Sequence, residues 1–132
     1  MKILLDTNVL ISAFITNGGH CHEILTHAVH QHEMYYTDFI LDEFKEKFRK
    51  KFNFSSVMIG QFVDFLERFL SRGKTAEVVE RICRDANDDQ ILADALENKV
   101  DVVLTGDLDL LVLKIHRGVQ ILHPKDYWSL PI

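Results

Sequence analysis

The run Lys2-Ile3-Leu4-Leu5 stops on a carboxylate, Asp6, and is followed by Thr7-Asn8. It is too short for a helix and shows no polar face, so it reads as a strand buried on both sides of a parallel sheet. In open α/β sheets ligands sit just beyond the carboxyl ends of the strands, and Asp6 stands there. Almost a hundred residues later Asp101-Val102-Val103-Leu104-Thr105-Gly106-Asp107 repeats the pattern. Two buried strands that each end in an acid make an α/β fold the expectation. They also raise the question of whether the two acids meet.

The chain has 132 residues, a length that suits one domain over 1–132. At 47% hydrophobic and 27% charged it has ordinary globular composition, with enough apolar material for a core. No run approaches the ~20 apolar residues of a membrane span. The short apolar start, with Asp6 inside it, is no signal peptide, so no membrane association and a cytoplasmic location are expected. Cys21 and Cys83 are far apart and in no metal-ligand spacing, and read as free thiols. The formal net charge of −5 argues against a generic nucleic-acid binder. That argument reverses if several acids are gathered around bound cations.

Taken in order, Thr7-Asn8 starts a helix through Phe14, and Asn17-Gly18-Gly19 breaks it. A second helical piece runs from about Cys21 to His32, with Ile24, Leu25, Ala28 and Val29 as its apolar stripe. Met34 to Thr37 is a short strand. Asp38 caps a helix on which Leu41, Phe44 and Phe48 recur at helical spacing. The next helix carries Met58, Phe62, Phe65, Leu66, Phe69 and Leu70 as one broad apolar face, and Gly73 ends it. That face reads as core, with a dimer surface as the lesser reading. Thr75 to Cys83 reads as an extended edge segment or connector. Arg84-Asp85-Ala86-Asn87 signals a helix start, and Ile91, Leu92, Ala95 and Leu96 mark the helix that follows. A strand (Val102 to Thr105), a short helix (Leu108 to Lys114), a strand (Val119 to Leu122) and a last turn around Asp126 to Leu130 complete the chain. Strands alternating with helices predict a parallel sheet between helices.

Four acids stand out by position. Asp6 and Asp107 follow buried strands. Asp88 lies three, four and seven residues before Ile91, Leu92 and Ala95, which places it on the core-facing side of its helix. Glu43 sits beside the core-facing Phe44. Each has an ordinary explanation: Asp88 as a helix-dipole partner, Asp107 as a cap. Together they converge on the carboxyl edge of the sheet. Carboxylates brought together raise one another's pKa unless a cation lies between them. An all-oxygen set suits Mg²⁺ or Mn²⁺, and such sites carry out phosphate chemistry.

These stretches resemble the PIN-domain nucleases over nearly the whole chain. Leu5-Asp6-Thr7-Asn8-Val9 is similar to the family's opening motif, and Asp42-Glu43 to its second acidic position. Asp88-Asp89-Gln90-Ile91-Leu92-Ala93-Asp94-Ala95 is similar to the third motif, and Thr105-Gly106-Asp107-Leu108-Asp109-Leu110-Leu111 to the fourth. The likeness is greatest to small prokaryotic single-domain toxins of toxin–antitoxin pairs. The resemblance implies a three-layer α/β/α PIN-like fold with about five parallel strands. It also implies Mg²⁺ or Mn²⁺ held by Asp6, Glu43, Asp88 and Asp107, and RNA hydrolysis by in-line attack of water that leaves a 5′-phosphate. Asp88 and Asp89 both fit the third position, and helical phase favours Asp88, since Asp89 is turned ~100° away. Asp109 assists or replaces Asp107. Thr7, Asn8, Asp89 and Thr105 would support the acids from behind. A cognate antitoxin protein and a homodimer are the implied partners, beside the RNA.

Two further features each admit two readings. Five of the seven histidines crowd into His20, His22, His27, His30 and His32. No regular zinc-ligand spacing appears among them, and an exposed polar helix face is the simpler reading. The basic run Lys45-Glu46-Lys47-Phe48-Arg49-Lys50-Lys51 is either a solvated helix face or a set of phosphate contacts leading RNA to the acids. Competing functions fit less well. A haloacid-dehalogenase-like phosphatase needs an Asp where Asn8 stands, and a receiver-like phospho-acceptor needs a late lysine that Thr105-Gly106-Asp107 does not bring. A catalytically silent PIN-fold module binding RNA or protein is the alternative of a different class, and it sits less easily with all four acids present.

Overall fold

The computed structural model describes residues 1–16 and 19–131. The expected break at Asn17-Gly18 lies outside them. The elements are β1 (Lys2–Leu5), α1 (Thr7–Ile15), α2 (His20–Gln31), β2 (Glu33–Tyr36), α3 (Asp38–Lys50), α4 (Ser56–Phe69), β3 (Ser71–Arg72), α5 (Ala86–Glu97), β4 (Val102–Leu104), α6 (Leu108–Leu111), β5 (Ile115–His116) and β6 (Val119–Leu122), followed by a 3-10 segment, Pro124–Ser129. The sheet has the order β3-β2-β1-β4-β6-β5. Five strands are parallel, and β5 pairs antiparallel to β6. Helices flank the sheet in a three-layer α/β/α arrangement, the PIN-like architecture expected from the sequence.

The first and fourth strands are the centre of the sheet. Ile3, Leu4 and Leu5 lie opposite Val102, Val103 and Leu104, and all six are buried. From β1 the chain builds outward to β2 and β3 on one side, then returns to lay β4 and β6 on the other. The β1–β4 seam is therefore the point where strand order reverses, where such sheets leave a crevice at their carboxyl ends. Asp6 and Thr105 emerge side by side there: the Asp6 amide donates to the Leu104 carbonyl at 2.9 Å, and the Thr105 amide to the Leu122 carbonyl at 3.0 Å.

Aromatic packing fixes the helices over the sheet. Phe14 of α1 meets Phe44 of α3 at 5.4 Å between ring centroids, and Phe48 lies 4.7 Å from Phe44 and 5.0 Å from Phe62 of α4. Phe44 and Phe48 are fully buried, so Glu43, one residue before Phe44, is carried to the edge of the core. Several expectations need correction. On α4 the buried side chains are Ile59 and Leu66, while Met58 and Phe69 are more than 40% exposed, so the apolar face is narrower than its composition suggests. Helix α6 stops at Leu111 rather than Lys114, which adopts a left-handed backbone with φ 61°. Strands β3 and β5 were not expected. Two residues carry no alternation to read, and each is defined by its partner strand. Arg117 and Gly118 both have positive φ, the geometry of the tight hairpin turn that brings β5 back onto β6.

Residues 73–85 form no helix or strand, as expected of a connector, but they are tied along the back of α5. The Asp94 carboxylate, fully buried, accepts from the Ala76 amide at 2.7 Å, from Gln90 Nε2 at 2.8 Å and from Thr37 Oγ1 at 2.9 Å. Asn98 accepts from the Lys74 amide and donates to its carbonyl, both at 2.8 Å. Replacing Asp94 by Ala strands these buried donors. We expect it to lower stability by about 2–3 kcal/mol in urea unfolding. A change under about 0.5 kcal/mol would show that the strap is held by other contacts.

Candidate active site

The crevice at the β1–β4 seam is lined with carboxylates. Asp6 precedes α1, and its Oδ2 accepts from Thr105 Oγ1 at 2.8 Å. The same hydroxyl accepts from the Asp107 amide at 3.0 Å, so Thr105 ties the two strand-end acids together. Asp107 caps α6, its Oδ1 accepting from the Asp109 amide at 2.9 Å. Glu43 reaches in from α3, receiving Thr7 Oγ1 at 2.6 Å and Asn87 Nδ2 at 3.2 Å. Asp88 arrives on the first turn of α5, whose cap is Asp85. Asp88, Asp107 and Asp109 each offer an oxygen within 4.8 Å of the others, the one such set of three possible metal-ligating side chains among the described residues.

The field in this crevice is unfavourable to further negative charge. Burial raises the Asp6 carboxyl above its usual range. Hydrogen bonds from Thr105 and the Thr7 amide oppose that rise, and the charges of Glu43 and Asp107 add to it. Asp88 is pushed up to about 7, first by burial, then by Asp107, with Asp85 and Asp6 contributing. Its Oδ2 is buried without a hydrogen-bond partner. A buried, unpartnered carboxylate oxygen among other carboxylates is what a cation would satisfy. An all-oxygen donor set fits Mg²⁺ or Mn²⁺ rather than zinc.

Asp89, which the sequence predicts to support the acids from behind, bonds elsewhere. Its Oδ1 accepts from the Ile82 and Cys83 amides at 3.0 and 2.8 Å, and these bonds, the Cys83 amide foremost, hold its carboxyl low. The ~100° between neighbours on a helix puts Asp88 among the acids and Asp89 against the strap. Asn8 is exposed at the rim, where its side-chain oxygen accepts from Lys47 Nζ at 2.9 Å. Of the other basic candidates, Lys50 pairs with Glu46, Arg49 and Lys51 are exposed, and Lys45 is half-buried.

Some residues at this crevice were not anticipated. Arg84 Nη2 donates to Asp109 Oδ1 at 2.7 Å. Asn87, read only as part of a helix start, holds Glu43. His20, Cys21 and His123 line a cleft of about 450 Å³ together with Asp6, Asn8 and Asp107. The remaining histidines of the 20–32 segment do not line this cleft. His22 Nδ1 lies 3.1 Å from the Ala13 carbonyl, His27 Nδ1 2.6 Å from the Tyr127 hydroxyl, and His32 Nδ1 3.3 Å from the N-terminal amine. Both cysteines are free thiols, and burial, aided by Asp89 and Asp88, pushes Cys83 up to about 11.

Residues 2–109 match the PIN domain family. The chain belongs to that family. Its fold is similar to VapBC2 from Rickettsia felis in a crystal structure bound to a DNA fragment from the promoter, with 12% identity, 93% of this chain and 98% of that chain covered, and a TM-score of 0.68. DNA-bound VapBC from Salmonella typhimurium is also similar, at 17% identity, with 94% and 98% covered and a TM-score of 0.57. No curated protein matches the chain by sequence. Among the described residues no helix is long and apolar enough to cross a membrane.

The raised Asp88 carboxyl has a consequence for stability. Its unfolded-state value is near 3.8 and its folded value about 7, so the folded state binds the proton more tightly. The stabilisation is complete below about pH 4 and is lost as pH rises through 7. Without metal, the Tm is expected to fall between pH 5 and pH 8 more in the native protein than in an Asp88→Asn variant. Added Mn²⁺ should raise the native Tm more at pH 8 than at pH 5. Parallel profiles for the two proteins would exclude Asp88 as the source.

Proposed function

We propose that this chain is a Mg²⁺- or Mn²⁺-dependent endoribonuclease, acting as one unit over residues 1–132 in the cytoplasm, and that it is the toxin of a toxin–antitoxin pair. The observation that carries the reading is the unpartnered, buried Oδ2 of Asp88 within reach of Asp107 and Asp109, in a chain of a nuclease family. Asp6, Glu43, Asp88 and Asp107, with Asp109, are the residues that would hold the cation. When bound, it supplies Lewis acidity toward water and toward the phosphoryl oxygens.

The chain's own residues have distinct tasks. Thr105 holds the Asp6 carboxylate and the Asp107 backbone amide, so it orients the first acid and anchors the chain that carries the second. Thr7 and Asn87 fix both oxygens of Glu43. Lys47, already at the rim on Asn8, contacts RNA phosphate, with Lys45, Arg49, Lys50 and Lys51 extending the positive lane along α3. The similarity to the two VapBC structures supports an antitoxin partner, and pairing into a homodimer is part of the same proposal.

The test is cleavage of a labelled single-stranded RNA with Mn²⁺ or with chelator. Asp6→Asn and Asp88→Asn are each expected to lower the rate by about a hundredfold or more, and chelator to abolish it. Cleavage that survives chelation and both substitutions would overturn the assignment. A small neighbouring gene encoding a DNA-binding protein, whose product copurifies with the chain and suppresses cleavage, is expected for the toxin reading.

A further inference from the structure

We propose that Arg84 is a substrate-phosphate contact of this same acidic site, and that in the RNA-free chain it serves as the site's internal counter-charge. The inference rests on the nuclease reading above and extends it to a residue outside the acidic motifs. Arg84 Nη2 lies 2.7 Å from Asp109 Oδ1, and Asp109 is one of the three acids whose oxygens converge. Divalent cation and guanidinium therefore compete for the same carboxylate.

Arg84 is built to change partners. Its backbone is anchored on both sides: Ile82 and Cys83 are held by Asp89, and Asp85 caps α5 through the Asn87 amide at 2.9 Å. Its side chain is 86% exposed, and that of Asp109 is 35% exposed. The root is fixed while the tip is free, and an ion pair this exposed holds its partner weakly. A guanidinium displaced from Asp109 stays within its own length of the crevice. Its planar fork of donors matches a phosphate's oxygens. Lys47 approaches the rim at Asn8 from α3, whereas Arg84 approaches from the strap. The two give an RNA backbone cationic contacts from different elements around an acidic centre.

The experiment compares native protein with Arg84→Ala and Arg84→Lys. Mn²⁺ binding to the RNA-free protein is followed by electron paramagnetic resonance, and KM and kcat are measured on a labelled RNA at several salt concentrations. Arg84→Ala is expected to bind Mn²⁺ several-fold more tightly, because the competitor is gone. Its KM for RNA should rise about tenfold, with the salt dependence of RNA affinity shallower by about one charge. Arg84→Lys should recover part of the KM. The opposed directions, tighter for metal and weaker for RNA, are the signature. A native protein that binds Mn²⁺ and cleaves RNA, beside an Arg84→Ala variant with unchanged KM or weaker Mn²⁺ binding, overturns the role of Arg84 alone. A native protein that binds no Mn²⁺ or cleaves no RNA overturns the nuclease reading itself.

Discussion

The Thr105 hydroxyl links the Asp6 carboxylate to the backbone of Asp107, donating to the first and accepting the amide of the second. Fully buried at the end of β4, it fixes one acid and the main chain of a second. It can do so only because β1 and β4 are neighbours in register, so that Leu5 lies opposite Leu104. The reversal of strand order at this seam opens the crevice. The hydroxyl then orients the Asp6 carboxylate within it and anchors the backbone that carries Asp107.

Helix α5 supplies the next constraint, and it is used on two sides. Asp88 faces the acids, while Asp89 and Asp94 hold the strap of residues 73–85 by its backbone amides. These are three acids on one helix with three different electrostatic fates. Asp89 is held low by the amides it accepts. Asp94 is raised by burial despite its donors. Asp88, with one oxygen unpartnered, is raised furthest toward neutrality. The folded state thus tolerates carboxylates raised by burial at Asp6, Asp88 and Asp94.

Much of this was legible in the residues, and the boundary of legibility is physical. Buried strands ending in acids announced Asp6 and Asp107, and helical phase separated Asp88 from Asp89, because periodicity is a local property. Arg84 and Asn87 left no such trace. Their contacts to Asp109 and Glu43 exist only once the strap lies on α5 and α3 packs through Phe44. Strands β3 and β5 were invisible for a related reason, since two residues become a strand only by finding a partner. The exposure of Met58 and Phe69 could not be read either, because a broad apolar stripe does not say how much of its width the neighbouring helices cover.

The pairing of Asp6 with Thr105 spans 99 positions of chain. During synthesis the first acid emerges long before the strand that completes its surroundings, and long-range parallel pairing closes late. A nascent chain still lacking β4 therefore holds Asp6, Glu43 and Asp88 but no crevice, and no degree of local helix formation substitutes for it. Whatever chemistry this site performs is withheld until β4 has been made and has paired with β1.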